Sequence, residues 1–575
     1  MSSFKVFLVR IGALVLVSEM IIKGRINMPS KRLLKWLGLY LTTTFITSLY
    51  SGNLNISFLG IYPFYVNSFL SVLCVSVFFI YACSLKKDNI SIVIDLIIWT
   101  SAVAGIYGVL QYFGLDFLNW SGRFGSRVWS TMGNPNFLAG YLCIISPLGI
   151  YWYLKKGKVH TALSVGIILI ALILTSSRSG ILAGLAGILF VVILTEKSKA
   201  EKNRLRNIIV IFLTVFILIG VFEFKGIKSI GRRYLSTFNF KEINIASRFS
   251  QWNSGAKMFL QKPVFGWGRN GYYMHFRKYM KKEFIDYSSY LSVPGYPHNY
   301  FIRLLVNGGI LFSGIILAWW VYIVYFLFQQ RKKSRGYTIA VCGSFIAMAV
   351  NNMFTFNSIA TVIIFWIILG TGIACFSGVE INIKKYKMRN IFLGLLIFPV
   401  FLSFRYLWAD HLFYLGRYRQ AAKKAPSVPK YRMTYAKTLF VQDKLEQAEK
   451  IFKIQIKKTP FFALAYNGLG MVYYKSNKLN KAINQFKKSL KRDPHLVDAR
   501  INIAKVYREE EDFEKAMVHY KKALQIKPDL SNPRYNLGVI YFKKGEIEKA
   551  EKEWKQVLKY NPDHKKARQS LNRIH

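Results

Sequence analysis

Cysteine is scarce in this chain: five residues in 575. Cys74, Cys83, Cys143, Cys342 and Cys375 all stand in apolar segments, none at metal-ligand spacing, and residues 411–575 hold none. That pattern argues against a disulfide framework and a structural zinc site. Acidic residues are also few, 28 Asp and Glu against 80 Lys and Arg, for a formal net charge of +52. Such an excess favours anionic partners. No nucleic-acid-binding motif accompanies it, and apolar runs dominate up to about residue 410. A membrane surface or a lipid pyrophosphate therefore fits better than nucleic acid. No cleavable signal peptide is evident: the first apolar run, residues 7–22, carries Arg10, runs into Lys23 and Arg25, and reads as a spanning helix.

What the chain does have is hydrophobic length. A membrane span needs about 20 mostly apolar residues. The hydropathy pattern predicts about twelve, centred near residues 13, 42, 74, 100, 145, 168, 187, 214, 315, 346, 367 and 399. Basic connectors punctuate them at 23–35, 86–87, 155–158, 197–206, 331–335 and 384–389. The excess of Lys and Arg places these on the cytoplasmic side. The alternating connectors then face out: 51–61, 112–136, the turn at Ser177, the long stretch 224–299 and the turn near Asn357. This alternation puts the N-terminus and residues 411–575 outside the cytoplasm. The long stretch holds few carboxylates, Glu242, Glu283 and Asp286. A connector of that length usually carries function.

Past residue 410 the pattern changes. Prolines recur at 426, 460, 494, 528 and 562, each 34 residues apart, the period of tetratricopeptide repeats. Small residues (Gly470, Ala504, Gly538) and aromatics (Phe486, Tyr520, Trp554) keep the same register. The expected division is a polytopic membrane domain over 1–410 and a repeat domain over 411–575. The repeats cover 426–459, 460–493, 494–527 and 528–561, with a capping helix at 562–575. Such an array binds a partner on its concave face, but the sequence does not name it. The fold class expected is all-α: a helix bundle followed by an α-solenoid.

Four clusters on the outward segments could carry chemistry. In Gly133-Asn134-Pro135-Asn136, Asn136 is a helix cap or a polar wall of a cavity. In Ser177-Arg178-Ser179-Gly180, an arginine at the edge of the hydrocarbon either snorkels or meets a phosphate. The long connector carries Arg248 and Trp252, then Gly266, Trp267, Gly268 and Arg269, where glycines allow close backbone approach. The connector ends at Pro297-His298-Asn299, with Asn299 a plausible N-cap. His298 is either structural or, from its near-neutral ordinary pKa, a general base.

Taken together and in this order, these clusters resemble the O-antigen ligase and polymerase superfamily. The likeness covers about residues 120–380, with Pro263 and Gly308-Gly309 as further matching elements. It implies a C-type membrane glycosyltransferase that moves a glycan from a polyprenyl diphosphate to an acceptor hydroxyl, with inversion and without a metal or other cofactor. It further implies that Arg178 and Arg248 bind the donor diphosphate and that His298 is the catalytic base. Asn134, Asn136, Ser177, Ser179, Trp252, Gly266, Gly268, Arg269 and Asn299 would support the cavity. Expected partners are the lipid-linked donor, a glycan, lipid or protein acceptor, membrane lipids, and a protein on the repeats. One span more than the usual family layout precedes the repeats.

The residues themselves agree with a metal-free route, because the outward segments have no Asp-x-Asp pair and few carboxylates. A departing diphosphate then needs arginines. Ligase and polymerase share a donor site and are not separated by the sequence. A non-enzymatic export or assembly component is the other alternative, and it would be favoured by charged residues buried in mid-span. Asp95 and Glu19 are the main candidates, each near a helix end or isolated.

Overall fold

A computed structural model of the chain describes residues 2–28, 30–60, 68–116, 127–221, 243–287, 295–329, 335–355, 357–376, 379–382, 389–426 and 428–574. Residues 224–242 and 288–294 of the long connector lie outside them. The first helices are α1 (Ser2–Lys23), α2 (Lys31–Leu49), α3 (Leu54–Leu59), α4 (Phe69–Cys83), α5 (Lys87–Tyr112), α6 (Pro135–Lys156), α7 (Val159–Leu174), α8 (Arg178–Leu194) and α9 (Lys199–Val221). Helices Tyr300–Gln329, Arg335–Phe354, Ile359–Ala374 and Arg389–Tyr414 follow the connector. A helix therefore stands at each of the twelve expected span positions. Among the described residues, four are long and apolar enough to cross a membrane: Lys87–Tyr112, Pro135–Lys156, Tyr300–Gln329 and Gly336–Phe354. Four more are apolar but shorter: Phe69–Cys83, Val159–Leu174, Arg178–Leu194 and Ile359–Ala374.

The chain folds as two compact units. One comprises residues 1–248, 259–270 and 296–404; the other comprises 249–258, 271–295 and 405–575. In the first, α8 packs against both α6 and helix Arg335–Phe354. Small residues permit this: a Cβ on Gly187 would stand 2.5 Å from the Gly343 carbonyl oxygen, the close approach typical of helices packed in lipid. Phe79, Trp319 and Trp366 meet in the core, with Trp319 and Trp366 6.3 Å apart and nearly parallel. The architecture is all-α, with one short antiparallel ribbon, Arg25–Met28 with Val379–Asn382, beside the helices.

Several charged groups in this unit are paired. Asp95 is not isolated: it accepts from Trp152 Nε1 at 2.6 Å and meets Lys156 at 3.2 Å. Lys155 meets Glu201 at 2.7 Å, so connectors expected on one side of the membrane come together. Arg10, 2% exposed, donates to Ser403 Oγ at 2.6 Å.

The second unit is a succession of helix pairs: Pro429–Val441 with Leu445–Lys458, Ala463–Lys475 with Leu479–Arg492, Val497–Glu509 with Phe513–Ile526, and Ser531–Lys543 with Ile547–Tyr560. Lys565–Asn572 closes the array. Within each pair the turn needs one left-handed residue, at Asp443, Asn477, Glu511 and Gly545. Each repeat's leading proline offers its carbonyl to a side chain six residues on. Arg432, Arg500, Arg534 and Arg568 donate to Pro426, Pro494, Pro528 and Pro562 at 2.7–2.9 Å, and Tyr466 takes this role for Pro460. Two connector helices, Gly271–Tyr279 and Lys282–Tyr287, belong to this unit. Arg277 pairs with Asp493, His495 Nε2 lies 3.1 Å from the Met280 carbonyl, and Ile285 packs beside Val497 and Ile526.

Candidate active site

Residues 295–300 bring the connector back to a long apolar helix. Asn299 Oδ1 accepts from the Ile302 amide at 3.0 Å, capping helix Tyr300–Gln329 as its position suggests. His298, one residue earlier, is held at φ +51°, a left-handed conformation uncommon outside glycine. The imidazole is half-buried. Burial first, and then the Arg248 cation, push its pKa down to about 3. The resting histidine is therefore neutral across the physiological range. It is also a weaker base than its ordinary pKa of 6.5 implies. Arg248 and His298 belong to the same unit and lie within electrostatic reach of each other.

Arg248 projects from helix Ile243–Gln261 and is half-buried. Trp252, one turn on, falls in the repeat-containing unit, where its ring meets Phe249 at 5.2 Å.

The Gly266-Trp267-Gly268 segment approaches backbone closely, and that backbone belongs to the protein itself. Helix Tyr300–Gln329 is broken at Gly309 (φ 60°, ψ −164°). Into the break come the carbonyls of Pro263 and Val264, which accept from the Ile310 and Leu311 amides at 2.8 and 3.2 Å. The Trp267 and Gly268 amides return hydrogen bonds to Val306 and Asn307, at 2.8 and 2.9 Å. A Cβ on Gly266 would stand 2.5 Å from the Gly309 nitrogen, and one on Gly268 2.5 Å from Ser51 Cα. This clasp delivers Arg269. Its amide donates to Thr47 and its carbonyl accepts from Ser57 Oγ, both at 2.8 Å. With Arg303 and Tyr300, the Arg269 side chain lines a cavity of about 60 Å³.

The two remaining clusters are neighbours. Asn134, and not Asn136, caps α6, accepting from the Asn136 amide at 2.8 Å with Pro135 in the first turn. A proline at the first helical position suits this arrangement. Asn136 Oδ1 instead accepts from Arg127 Nη2 at 2.8 Å, and Arg127 Nε donates to the Thr175 carbonyl at 2.9 Å. The Arg127 side chain thus ties the start of α6 to the end of α7. Ser176 is left-handed (φ 50°), the Ser177 amide donates to Thr175 Oγ1, and Ser177 and Ser179 are buried with their hydroxyls 3.4 Å apart. Arg178 opens α8 and is half-buried. A Cβ on Gly180 would stand 2.5 Å from Ala139 Cβ, so the two helix starts lie side by side.

Sequence reasoning missed Arg127, Arg303 and an asparagine trio. Asn351 and Asn352, both fully buried, are linked through Asn357: Asn351 Nδ2 donates to Asn357 Oδ1 at 3.2 Å and Asn357 Nδ2 to Asn352 Oδ1 at 2.5 Å. Gly140 makes room for them, since a Cβ there would meet Asn351 Nδ2 at 2.9 Å. The available signal was the Asn-Asn doublet at the end of an apolar run, because polar residues at membrane depth seldom lack a role.

Residues 163–318 match the family described as O-Antigen ligase. Residues 463–496 and 533–564 match the tetratricopeptide repeat, and 504–545 match a TPR repeat. Three solved structures resemble the repeat region. MamA of Desulfovibrio magneticus is 16% identical, with 28% of this chain and 96% of that one covered and a TM-score of 0.26. A thermophilic TPR protein of Thermus thermophilus is 20% identical, with 30% and 98% covered and a TM-score of 0.25. YrrB, described as a TPR protein with an unusual peptide-binding site, is 18% identical, with 29% and 90% covered and a TM-score of 0.26. No curated protein matches the chain.

Proposed function

We propose that this chain, which joins an O-antigen ligase domain to tetratricopeptide repeats, is a membrane glycosyltransferase acting on a polyprenyl diphosphate-linked glycan. The observation that carries the reading is the strained, neutral imidazole of His298 within electrostatic reach of Arg248. An acceptor hydroxyl gives its proton to His298, and its oxygen attacks the anomeric carbon from the face opposite the leaving group. The bond from that carbon to the phosphate oxygen breaks, and the electron pair leaves on the lipid diphosphate. Arg178 and Arg248 stabilise that developing charge with forked donors. Inversion follows from the single displacement. The scarcity of outward carboxylates supports a route without metal.

The depressed His298 pKa gives this reading an internal logic. A diphosphate placed beside Arg248 offsets the cation that helps hold the imidazole down, so donor binding raises the basicity of His298. The base strengthens when there is something to activate. The ligase reading has a free lipid, protein or glycan acceptor; a polymerase has a second lipid-linked glycan in the same place. The active site and the repeats lie outside the cytoplasm in this reading, where the basic-connector pattern puts them. A peptide or protein on the repeats positions the acceptor.

The test is transfer by purified protein in liposomes supplied with a lipid-linked oligosaccharide and acceptor. Ala at Arg178, Arg248 or His298 should lower turnover by at least about 100-fold with protein level unchanged. Full transfer by His298→Ala would discard the base assignment. Wild-type protein that moves the lipid-linked sugar across the bilayer without forming a glycosidic bond would replace the enzyme with an export component.

A further inference from the structure

The cavity beside the broken helix has a composition that the glycosyl-transfer reading does not use. It holds the side chains of Arg269 and Arg303 together with Tyr40, Thr44, Thr47 and Asn307. None of Arg178, Arg248 or His298 lines it, and among the described residues no acidic side chain does. Its remaining walls are apolar, with Leu304, Phe312 and Ile316 among them. Two cations thus line one small enclosure whose other walls are largely apolar, where little solvent screens their charge.

The enclosure is also rigid. Arg269 is fixed on both sides by backbone hydrogen bonds to Thr47 and from Ser57, and the next residue, Asn270, is left-handed and donates to the Ile56 carbonyl at 3.2 Å. The Arg303 guanidinium lies over two rings, 4.6 Å from the Tyr300 centroid and 5.1 Å from Tyr296. Rings on its faces direct recognition to its in-plane N–H groups, the geometry that grips tetrahedral oxyanions.

The geometry points to a phosphoryl-binding site formed by Arg269 and Arg303 in the membrane unit, separate from the Arg178 and Arg248 side chains. Its ligand is a single phosphate ester or phosphate anion. A volume of about 60 Å³ is on the scale of one such group. Tyr40 supplies a neutral hydroxyl donor for an oxygen that the guanidinium groups leave, while the Thr44 and Thr47 hydroxyls donate to the carbonyls of Leu41 and Thr43. Burial lowers the Arg269 pKa, so an anion here relieves a desolvation penalty the fold already carries. The phosphate comes either from an anionic phospholipid headgroup or from a soluble ester. The assignment does not depend on glycosyl transfer.

The test uses the full-length protein and needs no turnover. In phosphatidylcholine nanodiscs, inorganic phosphate should raise the thermal midpoint above that in chloride at equal ionic strength if the source is soluble. If the source is lipid, phosphatidylglycerol nanodiscs should raise it instead. Either rise should vanish in Arg303→Gln and persist in the Arg178→Ala/Arg248→Ala double variant. Should Arg303→Gln fail to fold, phenylglyoxal labelling of the wild type serves, read by mass spectrometry. Modification of Arg269 and Arg303 should slow at least about fivefold in the protecting condition, as expected for a ligand held by paired guanidinium groups. Equal midpoints and equal labelling in chloride, phosphate and phosphatidylglycerol would overturn the proposal, as would an undiminished rise in Arg303→Gln.

Discussion

Arg277 Nη1 stands 3.0 Å from Asp493 Oδ2, with both side chains largely buried. The pair links a connector helix to the turn that ends the second repeat. Burial raises the pKa of Asp493 and lowers that of Arg277 despite their mutual attraction, so the fold depends on the two staying together. Removing one partner leaves the other buried without its counter-charge. Arg277→Ala should destabilise the repeat-containing unit by about 3–5 kcal/mol. Hydrogen exchange should show the loss first in residues 271–287. An Arg277→Met/Asp493→Leu double variant should recover most of it. A single variant as stable as wild type would mean that the pair contributes nothing.

Gly309 should tolerate no side chain. A Cβ there would meet the Val264 carbonyl oxygen at 2.2 Å, and φ is +60°. Gly309→Ala should cost about 2 kcal/mol or more from the left-handed backbone and the clash together. Gly314→Ala, five residues on in the same helix with nothing within 4 Å of its Cβ, is the control and should be nearly neutral. Thermal midpoints of the two purified variants decide the matter.

In the repeats, Gly538 faces Trp554, whose Nε1 would lie 2.4 Å from an added Cβ. Gly538→Ala should lower stability by about 1–3 kcal/mol through overpacking. Urea unfolding followed by tryptophan fluorescence would show it as a lower midpoint with little change in slope.

His298 gives a pH dependence with a definite sign. Its folded pKa of about 3 lies below the ordinary 6.5, so the unfolded chain takes up this proton first as pH falls. The stabilisation is complete above about pH 6.5 and is lost progressively toward pH 3. From pH 6.5 to 5 the loss amounts to roughly 2 kcal/mol. His298→Gln should flatten that part of the stability curve. A variant with the same acid sensitivity as wild type would show that the imidazole is not held neutral by its surroundings.

What the sequence made legible was periodic or local. The 34-residue interval between prolines is written in adjacent residues, and so is the hydropathy that places each helix. Asn299 caps a helix whose amide is three residues away. Arg303 and the Asn351–Asn357 trio were missed because what gives them a role comes from distant parts of the chain. The ribbon of Arg25–Met28 with Val379–Asn382 joins segments more than 350 residues apart, and no local pattern announces it. Asn136 misled for a different reason. Asn134 and Asn136 are both good caps by type, and only the bond from Arg127 to Asn136 Oδ1 shows which had another task. The glycines at 266 and 268 announced a close approach without saying to what.

The break at Gly309 would leave amide hydrogens of an apolar helix without acceptors were Pro263 and Val264 not there to receive them. Pulling that stretch away would strand the Ile310 and Leu311 amides in a greasy environment at several kcal/mol each. Residues 263–269 are therefore masonry and not a door. In the proposed reaction the lipid-linked donor and its acceptor travel past this corner of the protein while it stays shut.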